Sequence, residues 1–215
     1  MKSLAITTST ASVGVAVGDA STVLGYRQEL TDRRHAEELT PMIEGVLAEA
    51  SVGLGAIDQL IVDIGPGRFT GLRVGLATVK TLALLLDRKV VPLTSLEILA
   101  AAEEAPSVLA VVDARRGEVF QQYFQRGGAA DAPHVGPPEE LLPPLENLLA
   151  VGDGVDRYSE LYAESGQLDR QVRADVMLKL ADKKPAIPGT RVLPLYLREP
   201  DAIPNVKTRQ TPPAG

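Results

Sequence analysis

"GPGRFTGLRVG", Gly65–Gly75, packs four glycines and a proline into eleven residues. It lies between the apolar run "LIVDI" (60–64) and "LATVKTLALLL" (76–86). A near-continuous apolar run is the pattern of a strand buried on both sheet faces, and Gly-Pro-Gly turns the chain after it. Leu72, Leu76, Val79, Ala83 and Leu86 then recur on one face at helical spacing. The stretch is therefore a strand, a turn and a helix. A phosphate loop has this outline, because backbone N–H groups at a helix start attract anions. However, a Walker loop needs Gly-Lys-Ser/Thr where Gly71 is followed by Leu72, and a dinucleotide fingerprint needs glycine where Thr70 stands. A second reading is packing: Gly71 and Gly75 clear one helix face for a close neighbour, with Thr70 as the helix cap. Each glycine costs a helix about 1 kcal/mol relative to alanine, a cost that close packing explains. Anion binding stays open beside it.

Upstream, "LAITTS", "SVGVAVGD" and "TVLGYRQEL" are short β-rich runs separated by turn residues, the pattern of an antiparallel meander. "HAEELTPMIEGVLAEAS" follows with Leu39, Ile43, Val46, Leu47 and Ala50 on one helical face. Pro41 is accommodated if Thr40 is the N-cap and Pro41 the first helical residue; the alternative is an extra turn before a proline kink. Downstream, "KVVPL" is another strand. The order β-β-β-α-β-α-β over residues 1–103 predicts an α/β lobe with a partly parallel sheet. "VLAVVDAR" and "EVFQQYF", joined at Arg116-Gly117, open a second, smaller α/β lobe over 104–198. Residues 199–215, with four prolines, read as an irregular tail.

Composition narrows the function. The chain has 215 residues, a net charge of −6 and no cysteine. An acidic chain has no electrostatic footprint for gripping nucleic acid unaided. Without cysteine there is neither a disulfide framework nor a thiolate site, which fits a reducing cytoplasm. The N-terminus lacks the apolar core of a signal peptide, and the apolar runs are shorter than a membrane span. "ITTST" can hold phosphate at a strand end, but Thr7 stands where a nucleotide-binding site of this kind wants a carboxylate to anchor metal. His35, Glu37 and Glu38 are too few for a metal site, and His134 has no histidine at a ligating spacing. With two histidines and no nucleophile elbow, no hydrolase triad is argued. Asp113, Arg115 and Arg116 mark a hairpin turn that can also contact an anion or a partner.

These residues together resemble the TsaB (YeaZ) family. The match rests on Gly65, Pro66, Gly67, Phe69 to Arg73 and Gly75; on His35, Glu37 and Pro41; on Asp113–Val119; and on Pro194, Tyr196, Leu197 and Arg198. Arg68 departs from the family's usual serine, Val74 from isoleucine and Thr7 from the aspartate of many members. The resemblance implies an actin-like ATPase fold of two ribonuclease-H-like lobes, the second reduced. It implies a non-catalytic scaffold for threonylcarbamoylation of tRNA. That scaffold would pair with a TsaD-like catalytic subunit or with itself, and a TsaE-like ATPase would join the complex. ATP and metal would belong to the partners, and tRNA would be met only through the complex. The expected pairing surface is the two-helix face: His35, Leu39, Ile43, Val46 and Leu47, with Gly71, Leu72, Gly75, Leu76 and Val79. The alternative, an active small-molecule kinase or ATPase of the same fold, needs the carboxylate that Thr7 replaces; a metallopeptidase needs a metal set that is not evident.

Overall fold

The computed structural model describes residues 1–31, 34–142, 147–163, 165–168 and 171–198. The expected meander forms β1 (Ser3–Thr7), β2 (Ser12–Gly18) and β3 (Val23–Leu30), each antiparallel to the last. Helix α1 (His35–Glu49) then crosses to β4 (Gln59–Asp63), and α2 (Phe69–Leu86) crosses to β5 (Lys89–Leu93). Both crossovers return parallel, β4 beside β1 and β5 beside β4. Alternation sorts each strand's side chains between two cores. Leu4, Ile6, Val13, Val15, Leu60 and Val62 face α1 and α2, whereas Ala5, Ala16 and Ile61 face the opposite way. Alanines on that inner face let a further helix lie close.

That helix comes from far along the chain. After α3 (Ser95–Ala101), the second sheet is built from β6 (Ser107–Arg115), β7 (Glu118–Gln125), β8 (Gly128–Ala129) and β9 (His134–Gly136). Helix α4 (Pro138–Leu141) leads to β10 (Leu149–Val151), and α5 (Asp153–Arg157) leads to β11 (Gly166–Leu168). Its order is β11-β10-β6-β7-β8, with β9 also on β7. Helix α6 (Ala174–Ala181) then returns to pack on β1 and β2, and β12 (Ile187–Pro188) adds to the edge of β5. The first sheet reads β12-β5-β4-β1-β2-β3. Residues 174–192 thus rejoin the first lobe, so the sequence division at 104–198 runs past the second lobe's structural end. The reason is the inner face of Ala5 and Ala16, which Ala174, Met177, Leu178 and Ala181 complete. Helices α3 and α6 lie between the sheets in a core shared by both lobes, with Val108, Ala110, Val112 and Phe124 on the far side. Two lobes of this topology, the second reduced, are the ribonuclease-H-like pair of an actin-like ATPase fold. The tail expected at 199–215 lies outside the described residues.

Two helix starts differ from the sequence reading. α1 begins at His35, with Pro41 inside it and exposed. Thr40 is therefore not its N-cap; the extra-turn alternative is the one realised. The first turn is held instead by the His35 ring, whose Nε2–H donates to the Thr10 carbonyl at 3.0 Å, and Glu37 and Glu38 sit at the positive dipole end. α2 begins at Phe69 with Arg68 as N-cap and no capping side chain. Thr70 lies two residues past the capping position.

Candidate functional site

The β1–β2 turn and the end of β4 meet in a buried polar knot. Asp63 is fully enclosed at the C-terminal end of β4. The Thr7 hydroxyl donates to its Oδ2 at 2.8 Å, joined there by the Ser9 hydroxyl. Its Oδ1 accepts from the Ser95 hydroxyl at 2.7 Å and from the Gly65 N–H at 2.8 Å. Burial pushes the Asp63 carboxyl above its ordinary value, against the pull of these donors. Thr7 is thus a donor to a carboxylate supplied by the neighbouring strand. Sequence reasoning missed Asp63 because it sits inside an apolar run.

The hydroxyl-rich turn is spent within the chain. Thr8, Ser9 and Thr10 are buried. The Thr8 hydroxyl donates to the Gly71 carbonyl at 2.8 Å, and the Ser9 carbonyl accepts from Arg68 N–H at 2.6 Å. A Cβ at Gly71 would overlap the Thr8 carbonyl oxygen, and one at Gly75 would overlap the Thr8 hydroxyl. The close approach inferred from these glycines is real, but the neighbour is this chain's own first turn, not another protein's helix. The side chains expected to form the pairing surface are corrected with them. His35, Leu39, Ile43, Val46, Leu47, Leu72, Leu76 and Val79 are all buried in the chain's own packing. Helices α1 and α2 instead present other residues to solvent. On α2, besides Thr70, these are Phe69, Arg73, Ala77, Thr81, Leu84 and Leu85, one stripe spaced three and four apart with Leu85 at its border. Leu84 is 84% and Leu85 72% exposed. The run "LALLL" held this signal, since Leu84 and Leu85 fall off the stripe of Leu72, Leu76, Val79 and Ala83.

Above the knot the lobes enclose a cavity of about 620 Å³. The first lobe contributes His35 and the start of α2 from Gly67 to Gly71. The second contributes Asp113, Ala114, Arg115 and Phe120, and the segment Leu195–Arg198 closes a third side. The "DARRGEV" turn is a tight hairpin in which Arg115 and Arg116 take φ of 64° and 59°. Arg115 lines the cavity and lies 3.4 Å from Asp113; Arg116 does not line it. Asp113 also lies 3.6 Å from Arg157, and its N–H donates to Asp153 at 2.9 Å. Burial is the main cause holding the Asp153 carboxyl up, while Asp113's N–H and the fields of Arg68 and Arg115 pull it back. Arg68, at the tip of the glycine turn, is thus a first-lobe charge facing the second lobe. Among the described residues, no three His, Asp or Glu side chains converge as a metal site would need.

Comparison with known proteins agrees with this architecture. The family model described as TsaD, tRNA N6-adenosine threonylcarbamoyltransferase, matches residues 23–158, more than half the chain. The tRNA threonylcarbamoyladenosine biosynthesis protein TsaB of Haemophilus influenzae is 32% identical over 223 residues, covering 91% of this chain and 92% of its own. The chain belongs to the TsaB family. The TsaB of Escherichia coli is 32% identical over 197 residues, covering 85% of this chain and 83% of its own. A crystal structure from Pseudomonas aeruginosa, of an uncharacterized protein with similarity to peptidase YEAZ, superposes with a TM-score of 0.83 at 32% identity. It covers 92% of this chain and 99% of its own. The TsaB motif residues fall into two structural groups here. Gly71 and Gly75 serve the packing of α2 on the first turn; Phe69, Asp113, Arg115, Tyr196 and Arg198 surround the interlobe cavity.

Proposed function

We propose that this chain serves tRNA threonylcarbamoyladenosine biosynthesis as a non-catalytic pairing subunit. It docks on a TsaD-like catalytic subunit through the outer face of α2. The names of its TsaB relatives and of the family model support the pathway. The observation that carries the pairing role is the apolar outer face of α2. The helix is long and apolar enough to cross a membrane, yet only a third of it is buried inside the chain. Its buried stripe anchors it in the first lobe; Phe69, Ala77, Leu84 and Leu85 are left outside. Two adjacent, largely exposed leucines, Leu84 and Leu85, on an acidic surface mark an interaction site. Burying each leucine contributes about 2 kcal/mol. Glu37 and Glu44 are exposed on α1, the neighbouring helix, and favour a basic rim on the partner. Without the partner, a second copy covers the same face. A TsaE-like ATPase joins the pair, nucleotide and metal chemistry stay with the partners, and tRNA is met only by the assembled complex, in the cytoplasm.

The test is co-purification and calorimetry with the TsaD-like subunit, using the chain and a Leu84→Asp/Leu85→Asp double variant. Both positions are exposed, so the variant keeps its melting temperature. Pairing is expected to weaken by a hundredfold or more, about 3 kcal/mol, from losing two leucine anchors. A folded double variant that pairs as tightly as the wild type overturns the interface. Unchanged tRNA modification in a reconstitution lacking the chain overturns the pathway role.

A further inference from the structure

We propose that β3 is a docking edge for a second copy of this chain. The two β3 strands pair antiparallel about Gln28 and join two first sheets into one.

A sheet edge carries unpaired N–H and C=O groups, and proteins blunt it with short strands, proline, lysine or bulges. The other sheet edges here follow that rule. β12 has two residues, one of them Pro188; β8 has two, β9 three and β11 three. β3 is different. It has eight residues with neither proline nor lysine, and its bulge lies at the Val23 end. No strand lies beyond it among the described residues. Leu30 is 74% exposed at its far end.

The register of the open edge follows from the one inside it. The Thr31 N–H donates to the Ala11 carbonyl at 2.7 Å, next to the Ser12–Leu30 pair. Odd-numbered residues of β3 therefore bond to β2, and Tyr26, Gln28 and Leu30 turn N–H and C=O outward. A two-fold axis at Gln28 sets these groups against their own copies: Gln28 opposite Gln28, and Tyr26 opposite Leu30 of the second copy. Such an interface is self-complementary, so each contact occurs twice.

Charge selects this register. With the axis at Gln28, Arg27 of each copy lies opposite Glu29 of the other, in a pair whose side chains are close because it carries no ladder bonds. Moving the axis by one residue sets Arg27 on Arg27 or Glu29 on Glu29, and like charges directly opposite are destabilising. Arg27 also lies 3.4 Å from Glu49, but both side chains are about half exposed, and a pair of that kind holds its arginine weakly. On the other face, Tyr26 gives the exposed Leu30 an apolar neighbour. This edge does not rest on the pairing role of α2, because Leu84 and Leu85 take no part in it.

The test is sedimentation of the full chain carrying Leu84→Asp/Leu85→Asp, so that self-pairing through α2 is removed. A dimer is expected with a dissociation constant of about 100 µM or tighter, as suits a small interface. Adding Arg27→Glu or Glu29→Arg should each weaken it by about tenfold or more, since two attractive pairs become repulsive. Mixing the Arg27→Glu and Glu29→Arg chains should restore the dimer, because every facing pair is then of opposite sign. Melting curves check the fold of each variant. Three results overturn the proposal: a monomer at millimolar concentration, association unchanged by both single charge reversals, or no recovery in the mixture of folded variants.

Discussion

Asp63 organises the first lobe's interior. A fully buried carboxylate is costly to desolvate unless donors surround it. Here three hydroxyls and one N–H do so, from β1, the first turn, the glycine turn and α3. Asp63→Ala strands all four donors, and each unsatisfied buried donor costs about 1–3 kcal/mol. With partial relaxation, the expected loss is about 3–5 kcal/mol, or roughly 10 °C in melting temperature for a chain of this size. Asp63→Asn keeps the shape and one acceptor, and should cost less. The pH dependence follows from burial, which holds the native carboxyl above its unfolded value. Between those two values the native state keeps a proton that the unfolded chain has released, so this group's stabilisation is full below the window and lost as pH rises through it. Wild type should therefore gain on Asp63→Asn as pH is lowered through the window between those two values. A wild-type-minus-variant difference that is flat there, measured by denaturant unfolding, contradicts the assignment. None of this was legible in "LIVDI". The partners Thr7, Ser9 and Ser95 lie 56, 54 and 32 residues away in sequence, and the parallel pairing of β4 with β1 on one side and β5 on the other brings them together.

At the scale of elements, periodicity was a reliable guide. Of the expected stripe, Leu72, Leu76, Val79 and Ala83 are buried and Leu86 is half-buried, and the strand order of the first lobe follows the alternating runs. What a helix face meets is not written in its spacing. Gly71 and Gly75 called for a close neighbour, and two candidates satisfy that demand equally well in sequence: a foreign helix or the chain's own turn. The structure selects Thr8. The two glycines differ in a testable way. The obstruction at Gly75 is the Thr8 side-chain oxygen, whereas at Gly71 it is the Thr8 backbone carbonyl. Gly75→Ala should destabilise by about 1–3 kcal/mol through overpacking, and adding Thr8→Ala should restore part of that loss. Gly71→Ala should cost at least as much and gain nothing from Thr8→Ala, since the carbonyl remains. A double-mutant cycle by chemical denaturation measures both couplings. Equal rescue at the two positions would show that the packing explanation is wrong.

At the scale of the whole molecule, the chain returns on itself. Sequence order suggested two lobes in succession, but the last described segment, 192–198, runs from one to the other. Val192 is buried with the first lobe's core, and the Leu195 N–H donates to the Ile64 carbonyl at 2.8 Å. Tyr196 stacks on Phe69, and Arg73 reaches its hydroxyl at 3.5 Å. Arg198 then crosses the cleft to donate to the Ala114 carbonyl at 3.2 Å and to the Glu118 carboxylate. Within "PLYLR", Tyr196 and Arg198 bond to residues 123 and 80 positions upstream, so the motif's place is set by tertiary contacts. The segment holds the β6–β7 hairpin end against the first lobe and fixes one wall of the cavity. Arg198→Ala removes that second-lobe anchor without touching either sheet. Losing a charge-assisted contact of about 1.5–3 kcal/mol raises the local opening equilibrium by at least tenfold. Hydrogen exchange at Arg115–Val119 should therefore quicken by that factor, while amides of β1 and β4, held in the first lobe's core, keep their rates and the melting temperature falls by only a few degrees. Unchanged exchange at the hairpin, or acceleration spread evenly over both lobes, would show that the segment does not tether them.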